Sequence, residues 1–223
     1  MGLFDTFKNK KKKDKDEEEE IVTDGWNAIN EAFAKVYPGQ DDPKQYGTLI
    51  PWRLGGPDPL DGISVYDGGD CWHFVTFGLS ELYEKESEDA EWSGYGMEFT
   101  MRLKKGCYNP EDEEDELRCI CGNLQQIAKI TFNSGELFNA WEWIYTGQKN
   151  GIDLRHASAL TGFITVPDTL VQSIDTPNGH VDFVEFVGAS DAELLKIQSK
   201  ETTVRELYEE IGDITDYNRK SIY

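Results

Sequence analysis

Four side chains could support catalysis if the fold brought them together. Asp58 and Asp61 lie in a loop rich in glycine and proline, and His73 and Glu98 lie on two predicted strands. Carboxylates and an imidazole in one open pocket could transfer protons or hold a metal ion, as in a hydrolase or a metal-dependent enzyme. No nucleophile, phosphate-binding, zinc-protease or dinucleotide motif accompanies them. We therefore predict a protein that is not an enzyme, and we keep the hydrolase as an alternative.

Structural roles explain three of these side chains equally well. His73 shares a strand face with Val75 and Phe77, where a buried histidine bonded to a neighbour is typical. Asp58 and Asp61 are expected to cap turns within their own loop, because aspartate readily accepts hydrogen bonds from nearby backbone N–H groups.

The cysteines do not predict a metal site. Cys119 and Cys121 are separated by one residue, whereas structural zinc sites commonly pair cysteines two residues apart. The other two, Cys71 and Cys107, are isolated in the sequence. Because no secretion signal is recognised, we expect four free thiols, no metal and no cofactor.

Charge narrows the classes of partner. The 223 residues carry 22 basic and 43 acidic side chains, a net charge of −21. Such an excess opposes binding to nucleic acid and to anionic membrane surfaces. With no run of about 18 apolar residues, we expect no integral membrane association and a cytoplasmic location. A chain this acidic favours a basic protein partner.

The first 22 residues form a separate compositional block. Six lysines between Lys8 and Lys15 precede the acidic run 16–20, a pattern that predicts a disordered charged tail. The segment 1–20 is nearly neutral, which leaves −20 on residues 21–223. Gly2 and Thr6 match the loose N-myristoylation pattern, so a peripheral membrane-tethered regulator is a second alternative. Residues 23–223 are predicted to form one domain.

Strands and helices interleave without a regular repeat over residues 23–223, which predicts an α+β fold with a mixed, mostly antiparallel sheet flanked by helices. Strands are predicted at 71–79, 97–103, 141–145, 162–166, 170–174 and 181–187, with a turn at 177–179 between the last two. Helices are predicted from Asp24, from Leu117 to near Lys129, and after capping boxes that begin at Ser190 and Thr203. In the strand 97–103, apolar residues alternate with Glu98, Thr100 and Arg102, so we expect only one of its faces to cover a core.

A group of motifs resembles the Suppressor of Fused domain family. The chain reads LGGPDPLDGIS at 54–64, WHFVTFGLSELY at 72–83 and SGYGMEFTMRL at 93–103, followed in family order by LQQIA at 124–128 and TPNG at 176–179. The motif residues, for which we expect a structural role, are Gly55, Gly56, Pro57, Asp58, Pro59, Asp61, Gly62, Trp72 and His73.

The resemblance implies a non-enzymatic protein-binding domain. The animal family member is a cytoplasmic and nuclear regulator of Hedgehog signalling that holds zinc-finger transcription factors by pairing a peptide strand between two domains. This chain looks like the N-terminal domain alone. Stand-alone members of the family look microbial, so we expect a bacterial source, and some have been proposed as immunity proteins that neutralise toxins.

The partner-binding residues predicted from this resemblance are Ile130 and Glu142. They stand where the animal protein has a tyrosine after the central helix and an aspartate on the next strand. Trp141 and Trp143, two residues apart, would share one face of that strand and add a recognition surface if the strand lay at a sheet edge.

Overall fold

Nine strands join in one mixed sheet in the computed structural model, which describes residues 22–50, 52–145 and 147–223. The strands are β1 (Lys44–Gly47), β2 (Gly62–Asp67), β3 (Cys71–Phe77), β4 (Trp92–Lys104), β5 (Trp143–Ile144), β6 (Leu160–Pro167), β7 (Ile174–Thr176), β8 (Gly179–Ser190) and β9 (Ile214–Thr215). The α-helices are α1 (Asp24–Val36), α2 (Glu113–Ser134), α3 (Asp191–Gln198) and α4 (Val204–Ile211).

The strands follow the order β1-β2-β3-β4-β8-β6-β5, while β7 pairs with β8 and β9 pairs with β4. The pairings of β4 with β8 and with β9 are parallel, and the others are antiparallel. This arrangement confirms the predicted fold class. It also leaves β1 and β5 at the two ends of the strand order, so β5 lies at an edge.

Helix α1 forms where the apolar spacing predicted it. Ile29 and Phe33 are fully buried, and Trp26 stacks on Phe77 with ring centroids 4.2 Å apart. Gly25 permits this close approach, since a Cβ at that position would lie 2.1 Å from the carbonyl oxygen of Glu81. The start of α1 is thereby fixed against the segment that follows β3.

The helices cover opposite faces of the sheet. Apolar residues of α2, such as Leu117 and Leu124, pack on the alternate side chains of β3 and β4 that include Phe74 and Phe99. Helix α1 packs on the other face, over residues that include Phe77. Helices α3 and α4 pack on that same second face, over β6 and β8. Within the described residues, no helix is long and apolar enough to span a membrane.

Several predicted boundaries differ from the structure. The strand predicted at 141–145 is reduced to Trp143–Ile144, and the one predicted at 170–174 is replaced by the short β7. Helix α2 continues to Ser134, beyond the end predicted near Lys129. Both predicted capping boxes are present, at Ser190 and Thr203. The predicted tail lies outside the described residues except for Val22, so its disorder and the domain boundary stay predictions.

The expectation that β4 covers a core with one face was wrong. Residues 97–103 are all buried, including Glu98, Thr100 and Arg102. These polar side chains lie on the face of the sheet that α1, α3 and α4 cover. Glu98 and Arg102 are bonded to partners from other parts of the chain.

Candidate partner-binding surface

The glycine- and proline-rich motif forms a turn that joins the sheet to α2. The backbone of Leu60 exchanges two hydrogen bonds with the Gln125 side chain on α2, at 3.1 and 3.0 Å. The Asp61 N–H donates to the Phe77 carbonyl at 2.8 Å. The turn also contains Gly55, Gly56, Pro57 and Pro59, and Gly62 begins β2. The hydrogen bonds of the turn therefore run to β3 and α2.

Asp58 and Asp61 were expected to cap turns within their own loop, but they contact other elements instead. Asp58 forms an ion pair with Lys129 on α2 at 2.9 Å, and Asp61 accepts a hydrogen bond from the Tyr83 hydroxyl at 3.1 Å. Local sequence could not indicate either partner, because both lie well beyond the loop. The two carboxylates tie the motif to α2 and to the segment after β3.

Glu98 anchors the chain where it leaves β3. Its carboxylate accepts hydrogen bonds from five donors: the Thr76 hydroxyl, the N–H groups of Gly78, Leu79 and Ser80, and the Ser80 hydroxyl. Burial raises the pKa of Glu98 to about 7, although these hydrogen bonds act in the opposite direction. A carboxylate that is buried with five hydrogen-bond donors has a structural role. Its burial therefore does not indicate that it binds a substrate.

His73 has the buried, bonded environment of a core histidine. Tyr37 lies 2.7 Å from Nδ1, and Asp168 lies 2.8 Å from Nε2. Both contacts are satisfied when Nδ1 accepts a hydrogen bond from the Tyr37 hydroxyl and Nε2–H donates one to Asp168. Burial would raise the pKa of Asp168, but the bond from His73 and the bonds from nearby donors hold it at about 2. Its motif neighbour, Trp72, donates from Nε1 to the Tyr108 hydroxyl at 3.0 Å.

Arg102 forms a buried ion pair on the same face of the sheet. Its guanidinium donates two hydrogen bonds of 2.7 Å to the Glu185 carboxylate, and it lies 2.9 Å from Asp213. Burial raises the pKa of Glu185, and the pairing with Arg102 acts against that rise. We call His73, Arg102, Asp168 and Glu185 the polar seam.

The four residues of the enzyme alternative do not meet in one pocket. His73 and Glu98 are fully buried with separate sets of partners, whereas Asp58 and Asp61 hold the motif turn. The geometric condition for a hydrolase built on these residues is therefore not met. Over the part of the chain that the structure describes, no group of three His, Cys, Asp or Glu side chains could hold a metal ion.

The predicted recognition strand lies at the β5 edge, which we define as residues 141–145. Trp143 and Ile144 pair with Ile164 and Phe163 of β6, and no strand of the described residues follows β5 on its other side. Trp141 and Trp143 are half-buried and pack on the same cluster as α4. Glu142 is exposed between them, so the edge offers backbone, aromatic surface and a negative charge together.

Side chains outside the prediction hold this edge in place. Arg205 of α4 lies over the Trp141 ring at 3.8 Å, and Tyr208 contacts the same ring edge-on at 5.6 Å. Asn139 donates from its backbone and its side chain to the Glu142 carboxylate, at 3.0 and 3.1 Å. Tyr145 continues the alternation of Trp141 and Trp143, which is the one sequence signal that would have identified it.

Ile130 lies on a different element from the other predicted partner-binding residues. It is near the end of α2 with 39% of its surface exposed. The described contacts of Ile130 do not join it to the β5 edge: its carbonyl accepts from Ser134 in the same helix. The structure thus brings Trp141, Glu142 and Trp143 together and places Ile130 apart as an isolated exposed side chain.

Comparison with known proteins gives a consistent result. A family model described as Suppressor of fused protein (SUFU) matches residues 56–220. The Suppressor of fused homologs of Homo sapiens and Mus musculus are each 31% identical over 190 residues, which cover 78% of this chain and 37% of those proteins. The chain therefore spans little more than a third of the length of these relatives.

Solved structures show the same similarity at the level of the fold. The crystal structure of a Sufu-Fu complex matches with a TM-score of 0.76 and 28% identity, covering 89% of this chain and 92% of that one. The crystal structure of Drosophila Suppressor of Fused matches with a TM-score of 0.74 and 28% identity, covering 90% of this chain and 51% of that one.

Proposed function

Since this chain belongs to the Suppressor of fused family, we propose that it is a non-enzymatic protein-binding domain that takes up an extended segment of its partner along the β5 edge. An exposed edge strand presents unpaired backbone groups that a partner strand can use, and alternate side chains beside it supply specificity. The observation that carries this proposal is the position of β5 at the end of the strand order.

The side chains at the β5 edge suit recognition as well as its backbone does. Tryptophan, tyrosine and arginine are the residues most often found at the energetic centre of protein interfaces. Here Trp141, Trp143 and Tyr145 are half-buried, so each already has one side held by the domain. Aromatic rings that are fixed in this way lose little conformational freedom when a partner covers them.

The net charge of −21 supports a basic partner. Complementary charge accelerates association and makes it sensitive to salt. The most specific form of the proposal is an immunity protein that neutralises a basic toxin in the cytoplasm of a bacterium. Coexpression with a basic toxin encoded beside this protein would test that form: cell growth should be restored with the intact domain, and failure would leave only the general protein-binding role.

One of the solved relatives is described as a complex of Sufu with Fu, so a domain of this fold and length is observed with a protein partner there. For this chain the partner and its contact residues are our proposal. Glu142 and the two tryptophans belong to it directly, and Ile130 would extend the surface only if the bound segment also reached α2.

The proposal is tested by substitutions at the β5 edge of the full chain. Proteins captured from the native cell would be quantified for the wild type, for Trp143→Ala and for Glu142→Arg. Loss of the aromatic anchor in Trp143→Ala is expected to weaken binding by roughly 30-fold, and reversal of the exposed charge in Glu142→Arg by roughly fivefold. Glu31→Arg on α1 is the matched control, since Glu31 is also exposed and the charge change is identical.

Thermal unfolding of each variant would verify that the domain remains folded. If Trp143→Ala and Glu142→Arg both capture the wild-type partners at wild-type yield, the β5 edge is not the binding surface. If Glu31→Arg weakens capture as much as Glu142→Arg does, binding depends on total charge rather than on this edge.

A further inference from the structure

A cavity of about 660 Å³ lies beside the first half of β4, outside the polar seam. Its walls come from the start of β4, the segment that follows α2, the end of β6 and the middle of β8. Cavities of 300–1,000 Å³ are typical of sites for small molecules. The volume of this cavity is therefore suited to a small-molecule ligand.

The cavity exists because β4 and β8 separate locally. Trp92 pairs with His180 and Met97 with Asp182, so four residues of β4 stand opposite a single residue of β8. Gly94 and Gly96 take φ values of 58° and 71°, which permit this bulge. At Gly96 a Cβ would lie 2.5 Å from the Trp92 ring. The sequence thus supplies glycines where the opening needs them.

The walls are mainly apolar and aromatic. They include Trp92, Tyr95, Met97, Leu137, Phe138 and Phe183. Trp92 and Leu137 are partly exposed, at 36% and 46%, whereas Met97, Phe138 and Phe183 are buried. An apolar body could therefore enter past the first two side chains and be covered by the other three, which is the usual arrangement of a ligand pocket.

The charged groups around the cavity are negative. Asp89 and Asp182 line it, and none of the described lining residues is lysine, arginine or histidine. His180 lies 3.3 Å from Asp182 but also 2.7 Å from Asp175, so this group of three keeps a negative charge. The ammonium of Lys85 is occupied by Glu81 and by the carbonyls of Trp92 and Asn178.

We propose that this cavity binds a small organic cation with an apolar body, of the arylalkylamine type. The aromatic walls would cover the body, and the ammonium would lie near the half-exposed Asp182 carboxylate and the Trp92 ring. Attraction between a cation and an indole face adds to the ion pair. The net charge of the protein raises the local concentration of cations and acts in the same direction.

The test uses three compounds that share an indole body: tryptamine, tryptophol and indole-3-propionate. Each would be titrated into the full chain and followed by amide and indole NMR signals. Tryptamine is expected to saturate with a Kd on the order of 1 mM, given its few atoms. The alcohol should bind roughly threefold to fivefold more weakly. The acid should not saturate. Asp182→Asn should remove the advantage of the amine over the alcohol.

Two further variants separate the cavity from the rest of the surface. Ser173 is exposed and lines the cavity, whereas its exposed neighbour Gln172 does not. Ser173→Trp should abolish saturation by tryptamine, and the matched Gln172→Trp should leave it unchanged. Amide signals of residues 137–142 should shift on binding, because the wall segment continues into the β5 edge.

Three results would overturn the proposal. The first is no saturation by tryptamine at several times the expected Kd. The second is equal affinity of the amine and the alcohol for the wild type. The third is a lysine-tryptophan-lysine peptide, capped at both ends, that binds the same residues more than tenfold more tightly than tryptamine, since the cavity would then be a docking pocket for the side chains of a protein partner.

Discussion

Both faces of the sheet are covered by helices, but one is buried mainly by apolar side chains and the other also buries charged side chains. The face toward α2 is a continuous apolar core, in which Phe74, Met101 and Leu124 are fully buried. The opposite face has two apolar clusters, one under α1 and one under α3 and α4, and the polar seam also lies on this side. Strand β4 contributes to both, with Met101 on one side and Arg102 on the other.

This difference shows that a face of the sheet can be buried without being entirely apolar. Removing two charges from water costs several kcal/mol, which their attraction repays only when geometry and hydrogen bonding are good. The 2.7 Å contacts between Arg102 and Glu185 meet that condition. An apolar pair would tolerate small shifts of β4 relative to β8, whereas this ion pair would not, so we infer that the seam fixes how the two strands align.

The largest expected effect comes from breaking the seam on one side only. In Arg102→Met the Glu185 carboxylate stays buried without its partner, and the free energy of unfolding should fall by about 3–5 kcal/mol. Chemical denaturation monitored by circular dichroism would measure it. The double variant Arg102→Met with Glu185→Leu should recover most of the loss, because no carboxylate is then fully buried without a partner: Asp213 is partly exposed and keeps its hydrogen bond from Thr169. If the double variant is no more stable than Arg102→Met, the loss does not come from an unpaired buried charge. The Arg102–Glu185 pair would then itself stabilise the fold.

The apolar face should respond to a cavity rather than to a lost charge. Leu124→Ala removes a fully buried side chain of α2 and should lower the free energy of unfolding by about 3 kcal/mol. Unlike the loss at Arg102, this loss has no partner substitution that restores it and should not change with pH between 5 and 8. A loss below about 1 kcal/mol, measured by the same denaturation, would show that α2 can collapse onto the sheet and that the two faces are less different than their chemistry suggests.

Glu98, on the polar side of β4, should make the free energy of unfolding depend on pH. Its pKa of about 7 lies above the value of 4.5 for a free glutamate. A group whose pKa is raised on folding stabilises the fold below its unfolded pKa, and this contribution is lost as pH rises through the folded value. The free energy of unfolding should therefore fall by on the order of 2 kcal/mol between pH 4.5 and 7.5 relative to Glu98→Gln. Parallel pH profiles for the wild type and Glu98→Gln would contradict this.

Patterns of neighbouring residues predicted much of the fold. They did not predict features that depend on residues far apart in the sequence. The apolar spacing of α1, the turn at 177–179 and the caps at Ser190 and Thr203 each depend on residues close in sequence, and each is present. The second buried face of β4 was missed because alternation gives the period of a strand but not what covers each side. The partner that makes Arg102 compatible with burial, Glu185, lies 83 residues further along the chain.

The candidate surface was predicted to a similar extent. Spacing by two placed Trp141 and Trp143 on one side of a strand, and the structure places both against the cluster of α4. What spacing could not supply was the position of β5 in the sheet, which depends on its pairing with β6. The aspartates of the motif were misjudged for the same reason, since Lys129 and Tyr83 reach them from other elements.

The smallest expected effect is the difference between a buried helix cap and an exposed helix cap on the same face of the sheet. Ser190 and Thr203 cap α3 and α4 with the same capping box, but Ser190 is 3% exposed and also bonds Ser221, whereas Thr203 is exposed. Each change to alanine removes an acceptor for an N–H group of the first helical turn, so Ser190→Ala should cost about 1 kcal/mol and Thr203→Ala somewhat less, by denaturation. Equal losses would mean that capping alone matters. A larger loss at Thr203 would contradict the view that polar contacts on this face gain importance with burial.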